Sequence, residues 1–174
     1  MSGIGRAAIR LAAFGLVVVG GAAILRDPYR RVEAAAAVAV LDLCGAAHRT
    51  TLLGFSVLLA PAGKPAFAVI VTPACSSLPS VLCLLCVASM LPGPGARRAL
   101  ACAAALASAV IGNLLRISAS MGAGLLAGRS SLVLFHNSVG TVVTFASTLG
   151  GFILMLYLLL PAQSGRDRTP IGAP

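Results

Sequence analysis

The run Val139–Leu160, VGTVVTFASTLGGFILMLYLLL, ends at Pro161 and a polar tail carrying Arg166 and Arg168. A membrane-spanning helix needs about 20 mostly apolar residues, and this run supplies them. Three further stretches follow the same reading. Ile9–Leu25 lies behind Arg6 and Arg10. A shorter run over 76–91 is closed by Leu91-Pro92-Gly93-Pro94-Gly95. Ala99–Ile117 follows Arg97 and Arg98. The composition agrees: of 174 residues, 59% are apolar and 10% charged, and the mean hydropathy is +1.00. A soluble domain is about 25% charged, so this chain has too little polar surface to coat a soluble globule, and it is too apolar to be disordered. The net charge of +9 does not indicate nucleic acid, because the Arg residues sit in short clusters between apolar runs, as membrane topology requires.

The expected fold is an all-α polytopic membrane protein, a single membrane domain over 1–174. Its four spans fall at about 9–25, 76–91, 98–117 and 138–160. Arg6 and Arg10, the Arg97-Arg98 loop, and Arg166 with Arg168 place both termini in the cytoplasm. The segments 26–74 and 118–135 then lie outside the cell membrane, and 162–174 is a flexible tail. Within the outer segment, Val32–Leu43 is Ala- and Val-rich and too short to span, so it reads as an interfacial helix. Thr51–Leu59 and Ala66–Val71 flank the turn Pro61-Ala62-Gly63-Lys64-Pro65 and read as a β-hairpin. Ala, Gly, Leu and Val dominate, which suits close helix packing in lipid. Gly112, Gly140 and Ser147 are small enough to seat a further membrane helix.

Chemistry is concentrated in three residues. Cys75 stands in Thr72-Pro73-Ala74-Cys75-Ser76-Ser77-Leu78-Pro79, where Ser76 or Ser77 caps the helix that follows and Pro79 fits its first turn. A thiol just ahead of a helix N-terminus is favoured as thiolate, the nucleophilic form. Arg116 stands near the end of the third span, and an Arg at bilayer depth costs about 3 kcal/mol on insertion scales, which marks it for function. Asn113, three residues earlier, projects from the same helical face. His136 stands at the start of the fourth span, a position suited to a neutral, base-competent imidazole. Cys83, Cys86 and Cys102 fall within the spans, where Cys is a common small buried residue. Cys44 and His48 offer only two ligands, so neither a metal nor a cofactor is expected.

The expected topology puts Cys75, Arg116 and His136 at one depth, the outer leaflet. A thiol, a base and a fixed cation together have the parts of an acyl-transfer site. The His takes the thiol proton and the guanidinium stabilises the developing oxyanion. The last three spans carry no Asp or Glu to orient the His, which leaves Asn113 or Asn137 for that role.

Ala74-Cys75-Ser76-Ser77 after a hairpin, Asn113-x2-Arg116-Ile117, and His136-x3-Gly140 opening the last helix resemble the exosortase/archaeosortase family over roughly Gly54 to Leu160. The family usually has Cys-Ser-Gly where this chain has Cys75-Ser76-Ser77, and larger members carry extra N-terminal spans. The resemblance implies a membrane cysteine transpeptidase or protease with Cys75 as nucleophile, Arg116 as stabilising cation and His136 as base. It implies as partners exported proteins whose C-terminal sorting signal comprises a short motif, a membrane helix and a basic cluster. The competing class is a non-enzymatic membrane transporter or metal- and thiol-handling protein using Cys75, Cys83 and Cys86. Cys75 and Cys86 would share a face if one helix ran through both. A structural subunit without chemistry would tolerate Ala at all three candidate positions.

Overall fold

The computed structural model describes residues 3–91 and 94–160, with side chains from Ala12 onward apart from Ala47. The side chains of Arg6 and Arg10, the dipeptide Pro92-Gly93 and the tail 162–174 lie outside the described residues. The chain is mostly helical: α1 (Gly3–Leu43), α2 (Leu78–Met90), α3 (Gly95–Ala127), α4 (Arg129–Asn137) and α5 (Val139–Leu159). Strands β1 (Thr50–Leu53), β2 (Ser56–Leu59) and β3 (Phe67–Ile70) lie between α1 and α2. Three helical stretches are long and apolar enough to cross a membrane: Ala12–Leu43, Gly95–Ala127, and Arg129–Leu159, the last formed by α4 and α5 together. This is the architecture of a membrane protein. At 13 residues, α2 is about 20 Å long, short of the roughly 30 Å hydrocarbon core.

The expected first span and the separate interfacial helix are one element. α1 runs unbroken for 41 residues with Pro28 inside it, a length of about 60 Å. The cluster Arg26–Glu33 does not end the helix, and several of its charges have partners. Arg30 bonds Asp27 one turn back at 3.0 Å, Arg26 bonds Asp27 at 3.3 Å, and the Ala-rich run 34–37 is strong helix former.

The expected hairpin is a three-stranded antiparallel sheet in the order β1-β2-β3. What reads as one strand over Thr51–Leu59 folds back on itself: Leu53 pairs with Ser56, leaving the two-residue loop Gly54-Phe55. Gly54 has φ +69°, the left-handed region that tight hairpins require and that glycine adopts without strain. β3 then pairs with β2, Leu59 opposite Phe67 and Ser56 opposite Ile70. The segment 118–135, expected outside the membrane, is helical apart from Gly128. α3 continues past Ile117 to Ala127, and α4 follows after Gly128, whose φ of +92° ends one helix and re-aims the next. Lys64 Nζ donates to the Ala127 carbonyl at 2.6 Å, fastening the β2–β3 loop to the end of α3.

Two apolar cores result. One joins Ala34, Ala37 and Leu41 of α1, Val57 and Leu59 of β2, and Ile117, Met121 and Leu125 of α3. The other joins Leu84 and Ala88 of α2, Ala101, Ala105 and Ala109 of α3, and Met155 and Leu159 of α5. α3 contributes to both and is the central strut. Small residues bring α3 and α5 close. A Cβ on Gly112 would collide with the Ser147 side chain, and one on Gly151 would meet the Ala105 carbonyl at 2.9 Å. Gly112 and Ser147 are therefore occupied by contact within the chain, and an incoming helix does not have them as its seat.

Candidate active site

The site stands between the two cores, where the chain turns from sheet to helix. After β3, Val71 bonds back to the sheet, its N–H donating to the Phe55 carbonyl at 3.0 Å. Pro73–Cys75 form one 3₁₀ turn, closed by the Cys75 N–H on the Thr72 carbonyl at 2.9 Å. α2 starts only at Leu78, so no single helix runs through Cys75 and Cys86, and the shared face expected for those two thiols is not formed. Cys75 is half-buried, and Thr72, Pro73 and Ala74 beside it are exposed.

The three candidate residues meet. Cys75 Sγ lies 3.2 Å from His136 Nε2, and Arg116 Nη2 lies 3.1 Å from the same nitrogen. They come from the turn before α2, the last turn of α4 and the middle of α3. His136 lies in the last turn of α4, three residues before α5 begins. A guanidinium only donates hydrogen bonds, so Arg116 Nη2 can bond Nε2 only where that nitrogen accepts, in the Nδ1–H tautomer. The thiol then donates to the same lone pair. Thr72 Oγ1 lies 3.0 Å from Cys75 Sγ, close enough for its hydroxyl to donate to a thiolate.

Arg116 is positioned by what Gly140 lacks. A Cβ at Gly140 would stand 2.9 Å from Arg116 Cγ and 3.1 Å from its Nε. The stem of the Arg therefore lies flat on the first turn of α5. Ser120 Oγ donates to the Arg116 carbonyl at 2.7 Å. Gly140→Ala should push the guanidinium from Nε2 by a fraction of an ångström to an ångström. Misplacement of that order costs up to about 100-fold in rate. With membrane content unchanged, we expect the rate of Cys75 alkylation by iodoacetamide to change as the guanidinium leaves Nε2; an unaltered rate would show that the stem contact does not set the guanidinium.

The supporting residues are distributed differently from the expectation. Asn113 is buried, but its Nδ2 donates to Glu33 Oε1 at 2.8 Å, not to His136. Asn137 is exposed, and its carbonyl accepts from Thr141 Oγ1 at 2.9 Å; its side chain does not orient the imidazole. Ser76 Oγ accepts the Leu78 N–H at 3.2 Å, capping the start of α2. Ser77 has φ −76° and ψ −7°, an ordinary right-handed conformation that does not call for glycine.

The residue that the sequence reading passes over is Glu33. Its Oε1 accepts three hydrogen bonds at 2.8 Å, from the Ser77 N–H, the Ser77 hydroxyl and Asn113 Nδ2. Tyr29 Oη lies 2.9 Å from Ser77 Oγ. Arg30 Nε donates to the Val71 carbonyl, with its guanidinium 4.2 Å from the centroid of the Phe55 ring. The available signal was Glu33 itself, a carboxylate inside an otherwise Ala- and Val-rich run.

Among the described residues, no three His, Cys, Asp or Glu side chains gather as a metal-binding group. Cys83 lines a cleft between α2 and α5, whereas Cys86 lines one between α1 and α2. No family model matches the chain, and no curated protein and no solved structure is significantly similar to it.

Proposed function

We propose that the protein is a membrane-embedded cysteine transpeptidase or protease of exosortase type, which cleaves C-terminal sorting signals of exported proteins at the outer face of the cell membrane. The observation that carries this reading is the convergence of Cys75 Sγ and Arg116 Nη2 on His136 Nε2, at 3.2 and 3.1 Å. A thiol, a base and a cation drawn from three elements are what thioester chemistry needs, and a packing role requires none of them.

In the resting site the His136 lone pair is shared between the thiol and Arg116. A substrate carbonyl beside Arg116 draws the guanidinium to its own oxygen and frees Nε2. The thiol proton passes to Nε2 and Sγ attacks the carbonyl carbon, while Arg116 holds the oxyanion. The C–N bond then breaks, His136 returns the proton to the departing amine, and the upstream part of the substrate stays on Cys75 as a thioester. Attack by water or an amine releases it. Thr72 Oγ1 steadies the thiolate.

The four-span topology belongs to this reading, with residues 76–91 as the second crossing and both termini cytoplasmic. Arg116 stands 21 residues into α3, about 32 Å from its start, which is one hydrocarbon thickness. An Arg97-Arg98 loop inside therefore puts Arg116 at the outer boundary. A cleft of about 370 Å³ next to Arg116, lined by Ala74, Ser80, Thr141 and Thr144, continues into an apolar cleft of about 420 Å³ along Leu84, Val87 and Phe152. The two share Ser80, Phe145 and Thr148, so a membrane segment lying in the second presents its outer end to the first. The metal-handling reading would instead need Cys75, Cys83 and Cys86 as a common donor set, and these face His136, α5 and α1 respectively.

The test is made in cells with a co-produced reporter ending in the sorting signal of a neighbouring gene product, a motif, a membrane helix and an Arg-rich tail. The reporter should be cut on the outer side of its helix. Single-Cys protein retaining Cys75 should react with an impermeant maleimide from outside, and that retaining Cys102 should not. An uncut reporter, or labelling of Cys75 only after the membrane is opened, overturns the reading.

A further inference from the structure

We propose that Tyr29, Arg30 and Glu33 of α1 are positioning residues for the Cys75 thiol, a clamp that holds the turn 71–77 at both ends and so sets the Cys75–His136 contact. The proposal deepens the Cys–His reading above and rests on it. Its basis is where the contacts fall. At the start of the turn, Arg30 Nε donates to the Val71 carbonyl. At its end, Ser77 is held through its N–H and hydroxyl by Glu33 Oε1, each at 2.8 Å, with Tyr29 Oη 2.9 Å from the Ser77 hydroxyl oxygen. Between these anchors the hydrogen bonds of Cys75 among the described residues are those of its own turn, with Thr72 and with His136.

Glu33 ties that end to a second element of the site. The oxygen that takes Ser77 also takes Asn113 Nδ2 at 2.8 Å, and Asn113 lies one turn before Arg116 on α3. One carboxylate oxygen thus fixes the distance between the element bearing the thiol and the element bearing the guanidinium. Packing alone does not account for this arrangement. Arg30 and Glu33 are only 6% and 8% exposed, and Glu33 Oε2 is buried without a hydrogen-bond partner among the described residues. A half-paired buried carboxylate is disfavoured relative to an apolar side chain of the same size, so a residue serving only to fill α1 would be apolar.

The clamp is tested by a double-mutant cycle in membranes, on single-Cys protein retaining Cys75, with iodoacetamide as the probe and the alkylation rate read by mass spectrometry. In the parent, His136→Ala should slow alkylation about tenfold, since the thiolate is the reacting form and His136 takes its proton. Glu33→Gln keeps an oxygen that accepts from Ser77 and Asn113, and should preserve that ratio. Glu33→Asp draws the oxygen back by about 1.5 Å and should reduce the ratio to less than about twofold, as should Glu33→Ala. A residue that only supports the fold would lower protein yield, or both rates in parallel, and leave the ratio intact. Where Glu33→Ala does not accumulate, Glu33→Asp decides. A tenfold ratio kept in Glu33→Asp overturns the clamp alone. A ratio of one already in the parent overturns the Cys–His pairing, and the clamp with it.

Discussion

Cys75→Ala should leave a sorting-signal reporter wholly at full length in the membrane, with no detectable acyl-enzyme. The expectation follows from the site's stoichiometry: one sulfur faces the one available base, Cys75 Sγ against His136 Nε2 at 3.2 Å. With active protein, hydroxylamine should intercept the thioester and release the upstream part of the reporter as a hydroxamate. His136→Ala should suppress the same species, because the thiol proton then has no acceptor within reach. Cys83→Ala and Cys86→Ala should form it normally. Their thiols lie on α2, facing the clefts with α5 and α1, away from the 3₁₀ turn that carries Cys75. Reporter cleavage at the parental rate by Cys75→Ala would exclude the covalent mechanism. Equal loss from all three Cys variants would favour a shared thiol site instead.

The parts of this molecule that were legible in its sequence are those whose signal is local. α3 and α5 are long apolar runs bounded by Arg pairs and Pro, and their burial in a membrane follows from composition. Cys75 was legible because Pro73, Ser76 and Pro79 punctuate the chain around it. Arg116 and His136 were legible as polar residues out of keeping with their apolar surroundings. The fold was misread where charge was taken as a sign of water. The cluster 26–33 reads as a membrane exit, yet Arg30 and Glu33 are buried, and their partners, Val71, Ser77 and Asn113, lie 41 to 80 residues away. Spacing along one helix carries no trace of such pairings. The split of Thr51–Leu59 into two strands turned on a single residue, Gly54, inside an apolar run that has no other turn former.

α4 was hidden for a related reason. Gly128, Arg129 and two Ser residues interrupt the apolar pattern, whereas Gly128 is only the hinge between two helices. The consequence is functional: α4 is what carries His136 back over α3 to Cys75. The roles expected for Asn113 and Asn137 were assigned by elimination among the last three spans, because no carboxylate lies there. The carboxylate comes from α1 instead, and it holds the turn bearing Cys75 rather than the imidazole. Proximity of three chemically suggestive residues in depth was thus readable from topology, while the scaffold that holds them in register was not.

Arg116→Lys should keep the protein in the membrane and yet remove nearly all turnover. A Lys ammonium keeps the charge and ends one bond short of Nη2, so a purely electrostatic or interfacial role would survive the change. The proposed role would not. Arg116 lays its stem across Gly140, with Nε buried against that residue, and extends Nη2 to His136 Nε2 at 3.1 Å. That fixed plane offers the adjacent cleft a second N–H at a set angle, which a rotating ammonium on a flexible stem does not reproduce. Loss of one oxyanion donor typically lowers the rate about 100- to 1000-fold, or about 2.7–4 kcal/mol of transition-state stabilisation. A fall of that size is expected for both Arg116→Lys and Arg116→Ala. Because the Ala variant frees the His136 lone pair completely, its Cys75 should still be alkylated readily by iodoacetamide while reporter cleavage is lost. That separation distinguishes a donor acting on the oxyanion from one needed to activate the thiol. Slow alkylation together with slow cleavage in Arg116→Ala would instead make Arg116 part of the thiol-activating pair, and near-normal cleavage by both variants would reduce it to an anchor at the membrane boundary.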